Sequence, residues 1–177
     1  MNASSEMMQA ALAAARALVE QFEINQSDRL VIAESCTGGL VSGLLAQVPG
    51  VSQWLCGSAV TYRGSVKKEW LGVSETTLAT CHAESIETTS EMALGVLRQT
   101  SEANFSVAIT GHLGPGAPPA TDGQVFIAVA VQVGEVAEIY STHQLKLDSH
   151  ERVLRQYESA VCLLDVTRKA IAEASSV

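Results

Sequence analysis

The residues best suited to chemistry lie together in Ala33-Glu34-Ser35-Cys36-Thr37-Gly38-Gly39, where a β-branched run enters a helical pattern through two hydroxyls and two glycines. A serine at such a strand end stands exposed, and amides beside glycine are free of side-chain obstruction. Ser35 is therefore a candidate nucleophile. The backbone N–H groups around Thr37, Gly38 and Gly39 are a candidate cradle for a phosphate or an oxyanion. The commoner fate of such hydroxyls is to cap the helix that follows. Two better-known loops do not apply. The terminal Gly-Lys-[Ser/Thr] of a Walker A loop is missing, and so is the first glycine of the G-x-S-x-G elbow.

Three weaker signals stand beside this one. Ser65-Val66-Lys67-Lys68 has S-x-x-K spacing, one helical turn from Ser65 to Lys68, but without companion motifs it reads as a capping serine. His82, His112, His143 and His150 have no local metal-ligand spacing, so no metal is expected. Gly111 to Gly116 is glycine-rich, but its proline and the lack of a following helix argue against a dinucleotide turn.

These residues need elements to hold them. Met8, Leu12, Ala15, Val19 and Phe22 recur at helical spacing and predict a first helix ending near Gln21 to Ile24. Arg29 to Ala33 reads as a buried strand, Thr37 to Gln47 as a helix stopped by Pro49-Gly50, and Ser58 to Tyr62 as a second strand. A short helix is expected from Val66 to Leu71, a long one from Ser85 to Glu102, and a strand from Phe105 to Thr110. Gly111 to Gly123 holds five glycines and prolines between its two end glycines and reads as a surface loop of the functional kind. Gln124 to Val133 and Val136 to Leu145 flank Gly134-Glu135 as a β-hairpin. Asp148 to Glu151 has capping-box spacing before a last helix reaching about Ala174. Strands separated by helices, with one late hairpin, predict an α/β fold: a three-layer α/β/α sandwich on a mixed sheet, with ligands beyond the carboxyl ends of its strands.

Composition narrows the function classes. A chain of 177 residues, 47% hydrophobic and 17% charged, suits a single domain over 1–177. The net charge of -8 is spread along the chain, which disfavours direct nucleic-acid contact. The longest apolar run, Val125 to Val131, is far too short to cross a bilayer, and no signal peptide is visible at the start. Cys36, Cys56, Cys81 and Cys162 are scattered and suit a reducing cytoplasm.

The segment Ala33 to Gly39 resembles the opening signature of CinA C-terminal domains, a family that includes nicotinamide mononucleotide (NMN) deamidases. Pro49-Gly50-Val51-Ser52 is similar to the family's Pro-Gly-Ser-Ser turn, and Val60-Thr61-Tyr62, Lys67 and Leu71-Gly72-Val73 are similar to its Val-Thr-Tyr…Lys…Leu-Gly-Val run. Glu91-Met92-Ala93 and Ile109-Thr110-Gly111…Gly114-Pro115 continue the likeness. The resemblance implies amide hydrolysis of NMN to nicotinic acid mononucleotide and ammonia, without metal or other cofactor. It assigns Ser35 as nucleophile, Lys67 as base and Tyr62 as relay. It places substrate contacts at Thr37, Gly38, Gly39, Ser85, Thr110, Gly111 and Gly114, with Arg152 and Arg155 as nearby cations, and implies a small-molecule nucleotide partner and self-association into a homo-oligomer. A lysine serves as base only if its surroundings keep it neutral. Read on their own, Lys67 beside Lys68 is a solvated lysine and Tyr62 a core residue with its hydroxyl at the edge.

The chain departs from that pattern in two loops. His82-Ala83-Glu84-Ser85-Ile86 stands where Gly-Ala-Val-Ser-Glu is usual, and the glycine loop has lost its basic residue, with Asp122 near that place. An acid there would repel a phosphate. The alternative reading is accordingly a catalytically silent nucleotide-binding or protein-interaction module.

Overall fold

The computed structural model describes residues 3–174. The chain forms helix α1 (Ala3–Ile24), strand β1 (Leu30–Glu34), helix α2 (Leu40–Leu45), a 3-10 turn (Val51–Gln53), strand β2 (Leu55–Val60), and helices α3 (Gly64–Leu71), α4 (Glu75–Thr80) and α5 (Ile86–Arg98). Strands β3 (Phe105–Gly111), β4 (Gln124–Val133) and β5 (Val136–Lys146) then lead to helix α6 (Arg152–Ala174). The sheet order is β2-β1-β3-β4-β5, with β1 parallel to both neighbours and β3, β4 and β5 antiparallel in turn. This is the mixed sheet and three-layer arrangement expected.

Alternation along the central strands sorts the core into two layers. Leu30 and Ile32 of β1, Val107 and Ile109 of β3, and Val125, Ile127 and Val129 of β4 share one cluster with α1, α2 and α6. Val31 and Ala33, Ala108, Ala128 and Ala130 face α5, where Met92, Ala93 and Val96 meet them. Small residues on that second face let α5 lie close to the sheet. Gly95 does the same for α3: a Cβ there would stand 1.9 Å from the Leu71 carbonyl oxygen, so any side chain would push the two helices apart.

The alternation also aims the first motif. Glu34 continues the face of Leu30 and Ile32 toward α2, and Ser35 continues the opposite face toward α3 and α5. Both sit at the carboxyl end of β1, which lies inside the sheet between β2 and β3.

Several expected boundaries moved. The glycine turn delays α2 to Leu40, because Gly38 and Gly39 adopt left-handed φ of 62° and 94°. Strand β2 starts earlier and ends at Val60, leaving Tyr62 outside it. Helix α5 stops at Arg98, and α4, too short and polar to show a periodic signal, has no counterpart in the expected elements. The capping box at Asp148 to Glu151 does not form. Instead, the Asp148 and Ser149 N–H groups donate to the Glu158 carboxylate at 2.7 and 2.9 Å, and α6 begins at Arg152.

Candidate active site

Ser35 lies at the β1-to-α2 turn, and its N–H donates to the Ile109 carbonyl of β3. Contrary to expectation it is buried, with 4% of its surface exposed. Its partner is Lys67, whose Nζ donates to Ser35 Oγ at 2.7 Å and to the Thr61 carbonyl at 2.6 Å. The solvated-helix reading of Lys67 therefore fails: the side chain is fully buried, while Lys68 next to it is exposed and pairs with Glu75. Helix α3 ends in a tight cap in which the Gly72 and Val73 N–H groups donate to the Lys68 and Lys67 carbonyls. Burial lowers the Lys67 pKa from 10.5 to about 8, against an opposing pull from Glu84 and the Cys36 thiol. Cys36 is no rival nucleophile, because burial pushes its thiol up to about 12.

The amides expected to cradle a ligand are already engaged. Glu34, fully buried, accepts from the N–H groups of Gly39, Val41 and Ser42 at 3.0, 3.1 and 2.9 Å. It also accepts from Thr37 Oγ1 at 2.8 Å and Ser58 Oγ at 3.3 Å. The Gly38 N–H goes to the Ser35 carbonyl. Gly38 and Gly39 thus shape a turn that leaves no room for an outside anion, and Thr37 is a ligand of Glu34. Among the described residues, the Thr37 N–H is the amide of this turn without a protein acceptor, since the Cys36 N–H lies on its own thiol. Glu34 was visible in the motif, but nothing in its spacing marked it as an internal helix cap.

Tyr62, one residue after the Thr61 that receives Lys67, is 57% exposed, and its hydroxyl accepts from the Arg152 guanidinium at 2.7 Å. No hydrogen bond joins it to Ser35 or Lys67, so the chain of contacts a proton relay needs is not assembled here. The same Arg152 donates to the Gly114 carbonyl, tying α6 to the glycine loop.

The family model of the CinA C-terminal domain matches residues 12–168. The chain belongs to the CinA C-terminal domain family. A CinA-like protein of Thermotoga neapolitana is 38% identical over 146 residues, which covers 81% of this chain and 34% of that protein. One from Geobacter metallireducens is 43% identical over 113 residues, covering 63% and 27%. The chain thus spans about a quarter to a third of the curated relatives it matches. Among solved structures, the competence/damage inducible protein CihA from Agrobacterium tumefaciens is 31% identical and superposes with a TM-score of 0.82, covering 91% of this chain and 95% of that one. The CinA superfamily protein KP700603 from Klebsiella pneumoniae shares the fold at 24% identity and a TM-score of 0.78.

The loops in which this chain departs from the CinA pattern are well anchored. His82 takes a left-handed φ of 68° at the place where the family usually has glycine, and its carbonyl accepts from Thr88 Oγ1 at 2.6 Å. Ser85 caps α5, its side chain accepting the Thr88 N–H at 3.1 Å. The Thr110 hydroxyl meets that of Thr89 at 2.8 Å, and Gly111 is small because a Cβ would lie 2.6 Å from Val125 Cγ1. These three positions carry structural roles, and none of them hydrogen-bonds to Ser35 or Lys67.

Asp122, expected to repel phosphate, is instead neutralised. Arg155, 4% exposed, grips both of its carboxylate oxygens at 2.7 Å and the Ser149 carbonyl at 2.8 Å. Arg155 is therefore committed to the loop, and its pairing holds the Asp122 carboxyl below the usual range. Of the two arginines expected to face substrate, Arg152 remains the one beside Tyr62. Among the described residues, no group of three or more His, Cys, Asp or Glu side chains is arranged to hold a metal ion, and no helix is long and apolar enough to cross a membrane.

Proposed function

We propose that this chain is a serine amidohydrolase of the NMN deamidase type, converting the carboxamide of a pyridine mononucleotide to the acid and ammonia. The observation that carries the reading is the 2.7 Å contact between Lys67 Nζ and Ser35 Oγ, made by a lysine that burial has brought to a pKa of about 8. A free lysine is almost wholly protonated at neutral pH. Here about a tenth is neutral at pH 7, a useful supply of base poised on the hydroxyl it must deprotonate.

The steps follow from these contacts. Neutral Lys67 takes the Ser35 proton as Oγ bonds to the amide carbon, and the Thr61 carbonyl keeps Nζ in place. The Thr37 amide is the donor available to the oxyanion that develops. Collapse breaks the C–N bond, and the proton held on Lys67 leaves with ammonia. Water, deprotonated by the same lysine, then bonds to the acyl carbon; the ester C–O bond breaks, the acid leaves, and Lys67 returns the proton to Ser35 Oγ. Arg152 and the exposed Tyr62 form the pair a nucleotide's phosphate and ring would meet, as binding groups rather than a relay.

Following ammonia release from NMN, with Ser35→Ala as control, tests this reading. Wild-type turnover that vanishes in the variant supports it. A protein that binds NMN or its riboside without releasing ammonia is the silent module instead.

A further inference from the structure

Both halves of the Ser35–Lys67 pair are held through a single residue that touches neither side chain's reacting atom. Glu34 closes β1, and its backbone carbonyl accepts the Thr61 N–H at 2.8 Å. Thr61 is the residue whose own carbonyl receives Lys67 Nζ. The Glu34 carboxylate, meanwhile, collects the first free amides of α2 together with Thr37 Oγ1 and, from β2, Ser58 Oγ. One buried acid therefore ties together the turn that carries Ser35, the strand end that carries Lys67's acceptor, and the helix behind them.

The chemistry of that arrangement is unusual for a binding turn. A buried carboxylate is tolerated only with strong donors around it, and three backbone N–H groups plus two hydroxyls supply them. The donors are those a phosphate would use at a glycine-rich turn. With the acid inside, the turn is closed to outside anions and rigid, as a nucleophile's support should be. We propose that Glu34 is a positioning residue: it fixes the Ser35 turn against Thr61 so that Ser35 Oγ meets Lys67 Nζ, and it fills the anion site of the turn from within. This rests on the serine-nucleophile reading above.

The experiment uses a serine-directed fluorophosphonate, which forms a P–O bond to Ser35 and expels fluoride without needing any particular substrate. Labelling of the whole protein is followed by mass spectrometry from pH 6 to 10 and normalised to the folded fraction from near-UV circular dichroism. In wild type, labelling at Ser35 rises and levels off above the Lys67 titration; a wild type not labelled there sinks the nucleophile reading itself. In Glu34→Gln, the amide's N–H₂ faces donors, so the turn must shift, and a misplacement approaching 1 Å costs about 10- to 100-fold in the plateau rate. Thr37→Val combined with Ser58→Ala keeps the charge and removes two supports. It should lower the plateau several-fold with the titration in place, and it decides the matter if Glu34→Gln does not fold. A merely structural acid would lower thermal stability and leave the plateau per folded molecule unchanged, which overturns the proposal. So does a displaced titration with an intact plateau, because Glu34 would then act by charge alone.

Discussion

Replacing Lys67 by methionine separates a catalytic base from a structural lysine because activity should collapse while stability changes little. The folded-state pKa, lowered from 10.5 to about 8, corresponds to roughly 3 kcal/mol for keeping the charged form buried, at about 1.4 kcal/mol per unit. Between pH 8 and 10.5 the unfolded chain binds the extra proton, so this penalty is fully present below about pH 8 and vanishes as pH rises toward 10.5. Methionine removes it at neutral pH. It also removes the hydrogen bonds to Ser35 Oγ and the Thr61 carbonyl, each worth about 1.5 kcal/mol with a charged donor. The two contributions nearly cancel, so the variant should stay within about 1 kcal/mol of wild type at pH 7, roughly 2 to 4 °C in Tm for a chain of this size. Ammonia release should nonetheless fall by about 10²-fold or more, the contribution expected of a positioned general base. In wild type, kcat/KM should rise about tenfold per pH unit up to about pH 8 and then flatten, tracking neutral Lys67. A profile flat through that range, or a methionine variant retaining substantial turnover, refutes the assignment.

Other substitutions test the remaining contacts. Ser35→Ala should abolish ammonia release while costing no more than about 1 kcal/mol in urea unfolding, since one hydrogen bond is lost. Tyr62→Phe should raise KM for NMN and leave kcat within a few-fold, because the hydroxyl contacts Arg152 and not the nucleophile; a collapse in kcat would restore the relay. Asp122→Asn should lower Tm and expose the loop at 112–123 to proteases, with the wild-type pair's contribution present above the ordinary aspartate pKa of 3.8 and lost as pH falls through the lowered folded value. Ser85→Ala should cost about 1 kcal/mol through the lost cap of α5.

Those contacts differ in how far local sequence could announce them. The layers were legible because burial on both faces leaves unbroken apolar runs, as in Leu30 to Ala33 and Val125 to Ala130. The hairpin ends were legible because Gly134 supplies the positive φ, 60°, that a two-residue turn requires. What escaped depended on partners distant in the chain. The segment Asp148 to Glu151 carried the spacing of a capping box, yet the donors at Asp148 and Ser149 found Glu158 instead. Nothing in the pattern at Gly95 states that Leu71 will lie against it.

The same distinction explains the site. The place of Ser35 was readable from a strand running into two glycines, although a hydroxyl there more often caps the next helix, and Lys67 was singled out only through likeness to a family, since a lysine beside a lysine on a short helix looks solvated. What turns it inward is tertiary: α3 rests on α5 at Gly95, and the Thr61 carbonyl waits at the end of β2. Charge misled for the same reason. Asp122 read as an acid set against phosphate, yet an acid repels a ligand only while its charge is unmatched, and Arg155 matches it through two 2.7 Å contacts. The turn at Gly38 and Gly39 read as open to anions, yet an acid one residue before Ser35 was the anion it held. In both loops the formal charge was visible and its partner was not. An ionisable residue near a site thus becomes informative when the groups around it are counted, and by that count Lys67 and Arg152 are cations whose hydrogen bonds go to hydroxyls and carbonyls rather than to a carboxylate.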